Sequence, residues 1–266
     1  MSSKKILILS FFTIATAFAF NPNDLQQMNK NLDKYKEYLE EGTYAGFDKS
    51  LITPCPKSRY YTFKAAFEHF IKTNGTVIVE LGTSRSFVHG QLPGCNCDDI
   101  KYWTPDEPKN WDWSAGFFTR VVSETLEFLS PEIHTIDISH QHINRCKIMT
   151  KMFEHVLHYH VISSLTFLAN AKFNKKIDLL YIDTGDMTPI ERTAKLQLDE
   201  AKIIVERDII SKNGIILIDD VKNQTPLKFG ETSNLGKAKY SIPYFLSHGF
   251  EIVENEYQVI LKRTQQ

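Results

Sequence analysis

Apolar residues along this chain follow two rhythms. Residues 77–81 (Val-Ile-Val-Glu-Leu), 177–182 and 215–218 are short runs dominated by Val, Ile and Leu, and 134–138 and 159–162 are β-prone runs of similar length, the pattern of strands in a buried sheet. Between them the apolar positions recur every three or four residues, as helices require. Phe63, Ala66, Phe67 and Phe70 mark one over 61–72, and Phe117, Val121, Thr125 and Phe128 another over 114–129. Ile190, Ala194, Leu198, Ala201, Val205 and Ile209 mark a third that stops before Gly214, and Thr188-Pro189-Ile190-Glu191 reads as its capping box. Further helices are predicted over 24–42 (Leu25, Met28, Leu32, Tyr35 and Leu39 on one face, Gly42 at the end), 141–153 and 237–247, with a short one opened by Ser163-Ser164. The last two runs, 250–254 and 257–262, are separated only by Asn255-Glu256, so they must pair as an antiparallel hairpin. Strands that alternate with helices predict an α/β fold: a doubly wound, mostly parallel, seven-stranded sheet with a C-terminal antiparallel hairpin.

A chain of 266 residues supports one large α/β domain with a sizeable core. We place it over residues 76–266, preceded by a helical extension over 20–75. Residues 87–113 form an irregular insert with three prolines and three tryptophans (Trp103, Trp111 and Trp113). That much aromatic surface demands burial, either in the core or as a wall over a ligand. Residues 1–19 differ in kind. Lys4-Lys5 precede a run of apolar residues that ends in the small-x-small triplet Ala17-Phe18-Ala19, and polar Asn21-Pro22-Asn23-Asp24 follow. This reads as a secretory signal cleaved after Ala19, so the mature protein is expected to be exported; a retained anchor or a packed N-terminal helix are the alternatives, and only the anchor would bring it to a membrane.

The net charge of −1, without a basic stripe, gives no field that would steer the chain to nucleic acid. Cys55, Cys95, Cys97 and Cys146 make an even count. That count suits an oxidising compartment, with free thiols as the other reading, while their spacing lacks the second pair that a zinc site needs. Asn74-Gly75-Thr76 and Asn223-Gln224-Thr225 match the glycosylation sequon.

The chemistry concentrates where strands end. Residues 77–86 run from apolar strand through Glu80 and Gly82 into Thr83 and Ser84, and the runs 133–137, 177–183 and 214–220 also finish in acid. In a parallel sheet these ends share one rim. Like charges crowded there repel, which calls for a cationic ligand or a metal.

A seven-stranded sheet with this motif order and terminal hairpin resembles the class I S-adenosylmethionine-dependent methyltransferases, from about Thr76 to the C-terminus. Glu80-Leu81-Gly82-Thr83-Ser84 looks like the family's first motif, Asp137 like its ribose-binding acid and Asp183 like the acid that closes strand four. The small-molecule O-methyltransferases come nearest, with strand ends that read roughly IDGDH and LDD where this chain has Ile182-Asp183-Thr184-Gly185-Asp186-Met187 and Ile218-Asp219-Asp220. The Thr at 184, the Met at 187, and the serines where the family carries further glycines depart from that pattern.

The resemblance implies S-adenosylmethionine as cofactor. Its sulfonium and amino group are cationic, which suits Glu80; Gly82 would let backbone approach it, and Thr83 and Ser84 would bind its carboxylate. Asp137 would accept both ribose hydroxyls, and Ser163 and Ser164 would meet the adenine edge. Turn-making roles for Gly82 and Thr83 and an N-cap role for Ser163 are the structural alternatives. Asp183, Asp219 and Asp220 are three oxygen donors suited to Mg²⁺, which would acidify an acceptor hydroxyl. Their alternative is capping and solvation. Asp183 and Asp186 are the candidate catalytic carboxylates, and the general base is sought among the histidines His140, His142, His158 and His160 or in Asp186. Arg85 can pair with Glu80 or meet an anionic substrate. The expected acceptor is a hydroxyl of a small molecule or glycan, and homo-oligomers are compatible with all of this. A dehydrogenase would need G-x-G-x-x-G after the first strand, a P-loop enzyme Gly-Lys-Ser/Thr and a serine hydrolase G-x-S-x-G; none occurs. An exported, non-enzymatic binding protein on the same scaffold is the rival from another class.

Overall fold

The computed structural model describes residues 21–41, 59–88, 99–112, 117–186, 189–221 and 235–264. The proposed signal segment, Cys55, Cys95, Cys97, Trp113, Met187, Thr188 and Asn223 lie outside them. Among the described residues no helix is long and apolar enough to cross a membrane.

Seven strands form one sheet in the order β3-β2-β1-β4-β5-β7-β6: β1 Val77–Leu81, β2 Glu132–Asp137, β3 Leu157–Val161, β4 Ile177–Ile182, β5 Ile210–Ile218, β6 Phe250–Asn255 and β7 Val259–Arg263. The first five are parallel, and β7 runs antiparallel to both β5 and β6. The predicted sheet and terminal hairpin are therefore present. The side chains of β1 alternate between two cores. Ile78 joins Ile133, Leu179, Tyr181 and Leu217 on one face, whereas Val77, Val79 and Leu81 join Leu180, Ile182 and Ile216 on the other.

The first face is covered by α1 Pro22–Leu32, α2 Lys36–Glu41, α3 Tyr60–Lys72 and α4 Phe118–Leu126. Met28, Leu32, Tyr35, Tyr38 and Leu39 of the N-terminal segment are buried in the same core as the strands. Glu124 of α4 holds that segment through Lys34 Nζ at 2.9 Å, and its backbone carbonyl accepts from Asn31. The tryptophans of the insert join this core. Trp111 is 1% exposed, stacks on Trp103 with centroids 5.0 Å apart, and lies against Tyr35 and Tyr38. Of the two readings of this aromatic cluster, core packing is the one Trp103 and Trp111 take.

The second face carries α6 Ser164–Asn170, α7 Ile190–Glu206 and α8 Ser241–Ser247, and α5 His140–Met149 follows β2. Several boundaries differ from the sequence reading, some by more than a residue or two. α4 begins at Phe118 rather than near 114, after Phe117 at φ 44°. α7 ends at Glu206, because Asp208 takes φ 51°; Ile209 then leads into a strand that starts at Ile210 and runs through Gly214. Thr188 of the predicted capping box lies outside the described residues; α7 has Pro189 at its N-cap without a side-chain cap bond, and Glu191 turns to Lys239 and Tyr240. The predicted 237–247 helix divides into a 3₁₀ turn, Gly236–Ala238, and α8.

Candidate active site

From β1 the chain steps outward to β2 and β3 on one side and returns to place β4 and β5 on the other. The carboxyl ends of β1 and β4 therefore bound the crevice in which open α/β sheets bind ligands.

Gly82 makes the turn after β1 at φ +86°, and a Cβ there would stand 2.5 Å from the carbonyl oxygen of Asp183. The clearance that only glycine gives is thus used by the backbone of β4 rather than by a ligand. Asp183 returns the contact by donating its N–H to Leu81 O at 2.9 Å, and the Gly82 N–H reaches Ile136 O at 2.8 Å. Three strand ends are laced together at this point.

Asp137 lies on the β2 side of the turn. Its Oδ2 accepts the Thr83 N–H at 3.2 Å and faces His142 Nδ1 at 3.1 Å, while Oδ1 accepts the Ser139 N–H at 2.7 Å. Glu80 is buried between α4 and β2. Its carboxylate is 2% exposed and accepts hydroxyl hydrogen bonds from Thr119 and from Thr135 at 2.5 Å. Burial pushes its pKa up to about 7 against those hydrogen bonds, and Asp183 adds to the rise. Arg85 pairs not with Glu80 but with Asp186, Nη1 to Oδ1 at 2.7 Å, in an exposed bridge between the β1 turn and the β4 loop. Ser84 is buried, with its carbonyl accepting from Arg145 at 3.3 Å. Ser86 donates to Asp112 and so ties the turn to the insert.

The β3 serines have internal partners. Ser163 caps α6, accepting the Thr166 N–H at 3.1 Å, and Ser164 donates at 2.5 Å to Glu200 of α7. Glu200 also accepts from Thr184 Oγ1 at 2.9 Å, so this buried carboxylate fastens α7 to the ends of β3 and β4. Burial raises its pKa to about 7, opposed by the two hydroxyls and by Lys237.

At the β4–β5 edge, Asp183, Asp219 and Asp220 bring carboxylate oxygens within 4.8 Å of one another. The sequence reading assigned the balancing charge to a ligand or a metal; the chain itself supplies two cations. Arg59, just before α3, forks onto Asp219 with Nε to Oδ1 at 3.2 Å and Nη2 to Oδ2 at 2.6 Å, and Gln258 Nε2 adds a bond to Oδ1 at 3.0 Å. Lys237 Nζ stands 2.7 Å from Asp183 Oδ1, 2.8 Å from Asp220 Oδ2 and 3.2 Å from Gly185 O. Burial and the two neighbouring aspartates raise the Asp183 pKa to about 7 in spite of Lys237. Burial works the same way on Asp220, but Lys237, Arg59 and the Tyr257 hydroxyl hold it well below the usual carboxylate range. An Mg²⁺ ion does not fit among these groups as they stand, because an ammonium already lies between two of its three prospective ligands and a guanidinium covers the third.

Of the candidate histidines, only His142 lies at the crevice. His140 opens α5 on the surface, and His158 and His160 flank His134 far along β2 and β3, with His134 Nδ1 and His160 Nε2 3.0 Å apart. Sequence reasoning missed Arg59, Lys237, Glu200 and Gln258. Each lies far along the chain from its partner, on helical or hairpin segments whose local pattern reads as ordinary surface. Cys146 is buried and unbridged beneath the turn, and burial pushes its thiol up to about 12.

No family model matches the chain, and no curated protein does. Among solved structures it is similar to the Podospora anserina methyltransferase PaMTH1 bound to SAH (TM-score 0.47, 13% identity, 92% of this chain and 89% of that one). It is also similar to a candidate O-methyltransferase from Klebsiella pneumoniae (TM-score 0.43, 9% identity, 90% of each chain). A third is NSun6 from Pyrococcus horikoshii with SFG (TM-score 0.44, 10% identity, 71% of this chain), of which the chain spans 48%. The sheet order and the antiparallel C-terminal pair give the chain the Rossmann-like fold that its resemblance to class I methyltransferases implied.

Proposed function

We propose that the protein is an S-adenosylmethionine-dependent methyltransferase acting on a hydroxyl of a small molecule or glycan. One observation carries this reading. The carboxylate of β2 bonds the N–H of Thr83 while the end of β4 packs on Gly82, so Asp137 and Asp183 flank a single turn at the point where strand order reverses. A cationic methyl donor laid across that turn meets acid on both sides. S-adenosylmethionine, when bound, would supply a methyl group on a sulfonium, to be given up to the acceptor oxygen with a neutral thioether as leaving group. The acceptor's proton passes to a carboxylate at the crevice. Asp183, 17% exposed at the floor, is the residue we assign, with Asp186 at the rim.

Titration calorimetry with S-adenosylhomocysteine tests the reading: micromolar binding by the wild type, weakened at least tenfold in Asp137→Ala, is the expected result. Absence of heat would remove it. One observation favours the rival, a cofactor-free binding protein on the same scaffold: Asp137, Ser163 and Ser164 all have internal partners. The same titration separates the two. Export through the segment ending at Ala19 belongs to either proposal and is tested by N-terminal sequencing of the natural protein.

A further inference from the structure

We propose that Lys237 is the resident cation of the acidic strand ends, and that the protein works without a divalent metal at Asp183, Asp219 and Asp220. The inference rests on the methyltransferase reading only in that a metal would otherwise be expected there.

An ammonium has three N–H donors and no acceptor. Lys237 directs its three at Asp183, Asp220 and the Gly185 carbonyl, all between 2.7 and 3.2 Å, with its side chain 2% exposed. Every donor is satisfied and the charge is compensated, which is what a lysine needs in order to stay buried and ionised. A divalent ion bound to the same oxygens would sit roughly 2.0–2.6 Å from each. It would then stand in contact with Nζ, cation against cation, around an ammonium whose side chain is itself buried.

The third prospective ligand is equally committed. Both oxygens of Asp219 are taken by the Arg59 fork, one of them shared with Gln258, and its side chain is 0% exposed. Bidentate guanidinium–carboxylate pairs are the strong form of this contact, so a metal would have to break one to gain its last ligand. Three carboxylates against one ammonium and one guanidinium also leave a single negative charge. That residue suits one monocationic ligand and gives a divalent ion little to neutralise. It follows that an acceptor hydroxyl here loses its proton to a protein group rather than to metal polarisation.

The test uses the full chain and Mn²⁺ followed by electron paramagnetic resonance. Wild-type protein is expected to leave the free-ion signal undiminished, and Lys237→Met to bind one Mn²⁺ per chain, lost again in Lys237→Met/Asp220→Asn. Wild-type binding of Mn²⁺ that disappears in Asp220→Asn would overturn the proposal, as would a folded Lys237→Met protein that ignores the ion. A second measurement does not depend on the variants folding. S-adenosylhomocysteine affinity is expected to be the same in EDTA and in Mg²⁺, and a tenfold gain with Mg²⁺ would overturn the proposal. Were that ligand not to bind in either buffer, the methyltransferase reading would fall while the wild-type Mn²⁺ signal still decided the role of Lys237.

Discussion

Gly82 and Asp183 meet backbone to backbone, so that a Cβ on the glycine would stand 2.5 Å from the carbonyl oxygen of the aspartate. Two costs add at this position. The turn needs φ +86°, which an L-residue with a side chain resists, and the strand ends would have to part. Gly82→Ala is expected to cost about 2–4 kcal/mol in chemical denaturation. Gly249 is the control: it has φ +81° but its nearest neighbour to an added Cβ is 3.7 Å away, so Gly249→Ala should cost only the strain, about 1–2 kcal/mol. Equal costs at the two sites would show that the β1–β4 approach is not tight.

The Arg59–Asp219 pair closes the other end of the site and is almost wholly buried. Removing one partner of such a pair leaves an uncompensated charge in a place with no water. Arg59→Met should therefore lower stability by about 3–5 kcal/mol, whereas Arg59→Met/Asp219→Leu should recover most of that loss. Additive losses in the double variant, measured by denaturant titration, would mean that the two residues act separately.

The contrast between β1 or β4 and this ion-pair network shows what the sequence could tell. Apart from Glu80 and Asp178, residues 77–81 and 177–182 are apolar because both faces of a central strand are buried, and that signal is local. Their acids and the glycine turn were legible for the same reason, being fixed by position at a strand end. Lys237, Arg59 and Glu200 were not, since what makes them special is a partner 160 positions away in the case of Arg59. Apolar periodicity also continued through Ile209, past the true end of α7, because a left-handed Asp208 that stops a helix leaves no mark on the hydrophobic pattern. Trp111 fell between two readings for a related cause. Its need for burial was plain, but which core would bury it depended on the N-terminal helices.

Glu200 gives a pH dependence whose sign can be fixed. Its pKa is about 7 in the fold against an ordinary 4.5, so the native state holds a proton that the unfolded chain has lost between these values. Stability then falls as pH rises through that window. Glu200→Gln keeps the shape and cannot ionise. It should be about 1–3 kcal/mol more stable than the wild type at pH 8 and indistinguishable from it near pH 4.5, by denaturation at the two pH values. A variant destabilised at both would show that the Ser164 and Thr184 hydroxyls need an anion.

His160 moves in the opposite direction. Burial under α6, and then the neighbouring His134 and His158, lower its pKa from 6.5 to about 4, so the fold holds it neutral where an unfolded chain would bind a proton. The unfolded state takes up more protons between those values, and stability is lost as pH falls through them. Because the ring is half-exposed, solvent screens part of the effect, and a contribution of about 1 kcal/mol is expected rather than the full linkage value. His160→Gln should flatten the slope of stability against pH between 6.5 and 4 while leaving stability at pH 8 within about 0.5 kcal/mol of the wild type. His134 keeps its hydrogen bond to Glu132, 2.9 Å away, in that variant, so the slope that remains belongs to His134 and the carboxylates. An unchanged slope would mean that His160 already accepts a proton in the folded protein, and that the packing of β2, β3 and α6 tolerates the charge.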